Sequence, residues 1–144
     1  MSKWTNEEIK RAREDFRVFV YIVWDSIGLP PPTPIQLDIS KALQHPPSDR
    51  FIIQGFRGVA KSFLTCAYCV WQLWRNPILK VEIISASGDR ADANAIFIKK
   101  IINIVDFLDI LRLNEHDKRL GLRDTQNQFD VHGAVPDISP SVKS

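Results

Sequence analysis

One segment, Gly55-Phe56-Arg57-Gly58-Val59-Ala60-Lys61-Ser62, constrains this chain more than any other. It follows the apolar run Phe51-Ile52-Ile53 and precedes a stretch whose apolar residues have helical spacing. Two glycines followed by Lys-Ser, between a strand and a helix, fit the Walker A phosphate loop at all but one position. There Ala60 stands where the usual second glycine would be. The chemistry accounts for each part. Backbone N–H groups in a tight loop face phosphoryl oxygens, and the following helix adds its positive N-terminal end. Lys61 is expected to reach the β- and γ-phosphates, and the Ser62 hydroxyl to bind Mg²⁺. Gly55, Phe56, Arg57, Gly58, Val59, Ala60, Lys61 and Ser62 are all candidate nucleotide contacts. A methyl group at position 60 disfavours positive φ, so that residue's backbone is expected to be helical or extended.

Neighbouring residues extend the candidate site. Arg57, four before Lys61, can swing onto a γ-phosphate and offset charge developing in the transition state. It can equally pair a surface carboxylate. Gln36 carries an amide able to read an adenine edge. It also stands three after Thr33, where the two close a capping box. Ser85 and Ser87 end a second apolar run, either near the ligand crevice of an α/β sheet or as a helix cap, with capping favoured. Residues 101–106 imitate an apolar strand ending in a magnesium-binding acid, Asp106. The unbroken helical spacing from Ala91 onward argues against that reading. No convincing pair of carboxylates for Mg²⁺ and for aligning water is found, so the chain reads as ending before that strand.

Along the chain, a helix is expected over about residues 6–26. Thr5 and Glu8 form its capping box, Trp4 and Ile9 its hydrophobic staple, and Ile9, Ala12, Phe16, Phe19, Val20 and Val23 its apolar face. Gly28 and three prolines stop it. A second helix starts at Thr33-Pro34 and ends near His45-Pro46-Pro47. Residues 51–54 read as a short buried strand, 61–75 as a helix, 80–85 as a strand and 89–105 as a long helix. Residues 114–124 read as a loop or short helix, and 126–131 as a possible third strand. The proline- and serine-bearing end, 136–144, reads as unstructured. This alternation predicts α/β layering: a parallel sheet flanked by helices, preceded by an N-terminal helix.

Bulk properties exclude other classes. Apolar residues make up 44% and charged residues 25%, ordinary for a globular domain. A net charge of +2 is too small to argue for nucleic-acid binding by itself. No apolar run approaches the roughly 18 residues of a membrane span, and the N-terminus lacks a signal peptide's apolar core, which places the chain in a cytosol. Cys66 and Cys69 lie one turn apart inside a predicted helix and read as core residues. Zinc would need four ligands, and the three histidines are distant in sequence.

Together these residues resemble a family. The loop with arginine four before lysine is similar to that of the terminase large subunits of tailed phages, those of T7-like podoviruses above all. Thr33-Pro34-Ile35-Gln36, Ser85-Ala86-Ser87 and the segment from Asp137 to Ser144 resemble other stretches of the same proteins. The resemblance implies an incomplete RecA-like P-loop ATPase domain, with residues 1–144 as its N-terminal portion, lacking the Walker B strand and the nuclease domain. It implies that Lys61 contacts phosphates, Arg57 the γ-phosphate, Ser62 the magnesium and Gln36 the adenine of ATP. It further implies a motor that drives double-stranded DNA through the portal protein into a procapsid. Such a motor works as a ring, usually of five subunits, with a small terminase subunit, in the host cell cytoplasm. By the same token the isolated chain is expected to be inactive, although the full protein is an ATPase and endonuclease. Two other readings remain open: a helicase-like ATPase acting on nucleic acid, and a non-catalytic piece completed by a second chain.

Overall fold

The computed structural model describes residues 2–144, which form six α-helices, one 3₁₀ segment and three short strands. The fold is mixed α/β, mostly helical, with a small sheet at one side.

The expected N-terminal helix is two helices, α1 (Asn6–Glu14) and α2 (Phe16–Ser26). Asp15 breaks them. Its backbone is extended, and its side chain accepts from the Arg17 N–H, so it caps the second helix as it ends the first. An aspartate offers the backbone this alternative to a continuous helix. The groups freed at the break find Gln44, which donates to the Glu14 carbonyl at 2.9 Å and accepts from the Phe16 N–H at 3.0 Å. The capping boxes at Thr5–Glu8 and Thr33–Gln36 are both formed. Helix α3 (Pro34–Gln44) follows the second.

Helix α4 (Lys61–Arg75) has the bounds its sequence predicts and runs through the core. Leu64, Ala67, Val70, Trp71, Leu73 and Trp74 are buried along it. Trp71 donates to the Ala12 carbonyl at 2.9 Å, and its ring lies 5.4 Å from that of Phe16. Phe19 stacks on Trp74 at 5.6 Å, and Phe107 closes the far side of Trp74 at 5.1 Å. Each such side chain contributes on the order of 2 kcal/mol by leaving water, so this aromatic column anchors the C-terminal half of α4 against α1, α2 and the segment that bears Phe107. Helix α5 (Gly88–Ile104) packs beside it through Ala91, Ala95, Ile98 and Ile102.

Asp106 opens the 3₁₀ segment Asp106–Leu111 and accepts from Ser2 Oγ and the Lys3 N–H, each at 2.7 Å. It is not at the end of a strand. Helix α6 (Glu115–Arg119) occupies part of the stretch read as loop or short helix.

The sheet departs most from the sequence reading. Its strands β1 (Val81–Glu82), β2 (Gln128–Phe129) and β3 (Val142–Lys143) lie in the order β1-β3-β2. β1 and β3 are parallel, β2 and β3 antiparallel, so the sheet is mixed rather than parallel. The segment expected to be unstructured supplies the central strand. Buried Asp130 accepts from the Ser141 N–H at 3.0 Å and from Arg123 at the backbone (2.8 Å) and guanidinium (3.2 Å). Arg123 also donates to the Ile138 carbonyl at 2.6 Å. These bonds hold residues 138–141 so that Val142 is fully buried. Residues 51–54, expected as a buried strand, belong to no ladder, and Ile52 is 87% exposed. Apolar character signals a wish for burial, but a strand also needs a neighbour's N–H and C=O groups, and no described segment offers them there.

Among the described residues, no helix is long and apolar enough to cross a membrane.

Candidate phosphate-binding site

The loop between residue 54 and α4 is anchored by one side chain. Val59 is 3% exposed and plugs into the core, while Phe56, 62% exposed, points out. The two glycines serve different needs. Gly58 has φ +96°, a left-handed conformation that suits glycine. At Gly55 the reason is space: a Cβ there would sit 3.2 Å from Val59 Cγ1 and 3.4 Å from Lys61 Cδ.

Ala60 corrects an expectation. It is neither helical nor extended but left-handed, at φ 69° and ψ 33°, and it takes the N-cap position of α4 without a side-chain cap. The turn needs this conformation to aim the chain into the helix, and the half-buried methyl group is accommodated at a steric cost.

Lys61 bends back over the loop. Its Nζ donates to the Gly55 carbonyl at 2.6 Å and the Phe56 carbonyl at 3.0 Å. These oxygens hold the ammonium over the mouth of an open hollow of about 740 Å³. Gly55, Arg57, Gly58, Ala60, Ser62 and Phe63 share its lining with Lys61, and so does Arg90 of α5. No carboxylate lines it, and neither Arg57, Lys61 nor Arg90 makes an ion pair among the described residues. The surface-pairing alternative for Arg57 is thus not what the structure shows. The hollow is cationic, flanked by the unsatisfied N–H groups that open α4, and so suited to a polyanion.

A second cleft, about 410 Å³, adjoins it. Lys61 and Ser62 line both, and Ile53, Glu82, Ile83, Ile84 and Asn94 contribute to the second. Ser62 therefore sits where a hydroxyl can meet both a phosphate and a cation beside it. Glu82 is the carboxylate that shares this cleft. Among the described residues no group of three or more His, Cys, Asp or Glu side chains is arranged to hold a metal. The donors suit a Mg²⁺ ion that takes most of its oxygen ligands from phosphate and water.

Gln36 stands behind the loop, not in the hollow. Its oxygen accepts from the Thr33 N–H at 3.1 Å and from Trp24 Nε1 at 3.2 Å, and its amide donates to the Val59 carbonyl at 3.4 Å. Ser87 caps α5, accepting from the Arg90 N–H at 3.4 Å, so capping is the observed role of that segment. Arg90 itself was not singled out from sequence. The available signal was its place in the first turn of a helix that follows a strand, which is where α/β sheets gather ligands.

The cysteines are core residues. Burial pushes the Cys66 thiol up to about 12 and that of Cys69 up to about 11.

No family model matches the chain. It is 48% identical over 136 residues to the terminase large subunit of Enterobacteria phage T3. The match takes in 94% of this chain but 22% of that protein, so the chain spans about a fifth of its relative's length. Nearly all of this chain is therefore related in sequence to a stretch of the phage terminase large subunit, the family its motifs resemble.

Proposed function

We propose that residues 1–144 form the N-terminal, ATP-binding portion of a DNA-packaging ATPase, within a RecA-like P-loop domain. The observation that carries this reading is the cationic hollow at the start of α4, built by residues 55–62, in a chain so similar to a terminase large subunit. In it the loop's N–H groups and Lys61 bind the phosphates of ATP, and Arg57 faces the γ-phosphate. Ser62 would hold Mg²⁺, which when bound screens phosphate charge. Lys61 must exchange the Gly55 and Phe56 carbonyls for phosphate oxygens as a nucleotide binds, and those carbonyls hold the ammonium beside the hollow.

In the whole protein this site would power movement of double-stranded DNA into a procapsid, as a ring working with the portal protein and small terminase subunit. Similarity to the T3 protein favours this over a helicase-like role. Among the described residues, Glu82 is the acid that lines the cleft beside Ser62, and no other acidic side chain shares that lining to align water. The isolated chain should therefore bind ATP and hydrolyse it negligibly. The test is titration of purified chain with a fluorescent ATP analogue, alongside phosphate release. Binding lost in Lys61→Ala supports the reading. Binding that survives Lys61→Ala sinks it, and brisk hydrolysis abolished by the same change would show that Glu82, the acid beside Ser62, already supplies the missing chemistry.

The second-chain reading has its own support: Ile52, Ile84 and Ile138 are 87%, 86% and 93% exposed. It is compatible with nucleotide binding, since the piece that binds ATP can be the piece that needs completing.

A further inference from the structure

We infer that Arg90, from α5, is a second-element contact to the terminal phosphate of the bound nucleotide and makes the site prefer a triphosphate over a diphosphate. The inference rests on the phosphate-loop reading and deepens it.

Three observations carry it. Arg90 lines the same hollow as Lys61 and Ser62, although it is 29 positions beyond Lys61 and on a different helix. Its guanidinium makes no ion pair among the described residues, and no acidic side chain lines the hollow to neutralise it. Its backbone is fixed, because the Ser87 hydroxyl accepts from the Arg90 N–H and the packing of α5 on α4 is locked by Phe63 stacked on Phe97 at 4.5 Å.

Geometry then assigns the part of the ligand. The inner phosphates of a nucleotide in such a loop are wrapped by the loop's own amides, which leaves the terminal phosphate projecting beyond it. A side chain from outside the loop meets that projecting group. Gln36, the candidate for the base, lies behind the loop on the Val59 carbonyl and does not line the hollow. Arg90 is therefore with the phosphates rather than with the base. A guanidinium presents a planar fork that matches two oxygens of one phosphate, which suits a terminal group with three free oxygens.

The experiment compares a non-hydrolysable ATP analogue with ADP on the purified chain and on the variants Arg90→Ala, Arg90→Lys and Lys61→Ala, each checked for native circular dichroism. Arg90→Ala is expected to weaken the triphosphate by roughly tenfold or more while leaving ADP within about twofold. Arg90→Lys should fall between. Equal weakening of both nucleotides, or of neither, overturns the assignment of Arg90 alone, provided Lys61→Ala abolishes binding. An unaltered chain that binds neither nucleotide, or a Lys61→Ala chain that binds both, overturns the phosphate-loop reading and this inference with it.

Discussion

Lys61 Nζ lies 2.6 Å from the carbonyl oxygen of Gly55, so the side chain expected to meet phosphate also clasps the two ends of its own loop. Gly55 is exposed and Lys61 half-buried, and the bonds between the ammonium and the loop carbonyls lie at the surface, where water can replace them. Removing the ammonium therefore costs the free protein little. We expect Lys61→Met to unfold within about 0.5 kcal/mol of the unaltered chain in urea. The same variant should lose the rise in melting temperature that ATP confers, because that rise tracks affinity for the native state. A large loss of stability in Lys61→Met without nucleotide would mean that the lysine is a structural clasp.

Ala60 is the described non-glycine residue with positive φ, at 69°. A left-handed alanine costs about 1 kcal/mol, and glycine relieves that cost while losing a half-buried methyl group. Ala60→Gly should therefore stabilise the chain by up to about 1 kcal/mol in chemical denaturation and leave ATP affinity unchanged. A destabilised variant would show that the methyl group's packing outweighs the backbone strain.

Gln36 ties α2 to the phosphate loop, taking Trp24 Nε1 on its oxygen and giving its amide to Val59. Trp24 is buried at 2% exposure, so Gln36→Ala leaves its indole N–H without a partner and also opens the capping box on α3. The expected loss is about 2 kcal/mol. If Gln36 also reads adenine, its amide must leave Val59 for the base, and the variant will lose its preference for ATP over GTP. Lost stability with an unchanged ATP-to-GTP ratio would confine Gln36 to holding the loop.

These residues show how far the sequence could be read. Caps at Thr5, Thr33 and Ser87 and the span of α4 were legible because each rests on neighbours in the chain. Lys61, Ser62 and Arg57 were legible as candidates because the spacing of the loop is local. The break at Asp15 was not, since it is stabilised by Gln44 from another helix. Nor was the strand Val142–Lys143, whose proline-rich approach is held by Asp130 and Arg123. Residues 51–54 failed in the other direction: their apolar pattern promises a strand, but pairing depends on a partner that composition does not reveal. Arg90 belongs with these cases, because only the packing of α5 on α4 brings it to the hollow.

The two cysteines offer a probe that is independent of nucleotide. Burial raises both thiols, Cys66 to about 12 and Cys69 to about 11. Near about pH 8 roughly one molecule in a thousand or fewer carries a thiolate at either position. Alkylation by iodoacetamide should be slow in native protein and rapid in urea, with both sites labelled together as the chain unfolds. Fast labelling of Cys69 alone under native conditions would show that the cleft lined by Cys66 and Cys69 opens locally.

Acid should weaken the chain partly through Asp117. Burial on its own would raise this carboxyl above its ordinary 3.8. The Asn114 N–H at 2.9 Å, His132 Nδ1 at 2.8 Å and the charges of His132 and His116 outweigh that and hold it lower. A carboxylate whose folded value lies below its unfolded one stabilises the native state above the unfolded value, and that stability fades as pH falls toward the folded one. The contribution from Asp117 is thus complete above about pH 5 and declines below the unfolded value near 3.8. Urea midpoints measured from neutral pH downward should fall in this acid range for the unaltered chain. Asp117→Asn should start lower at neutral pH and fall less steeply, because its side chain no longer takes up a proton on unfolding. Parallel curves for the two proteins would mean that ionisation of Asp117 does not help hold α6 against the segment bearing His132.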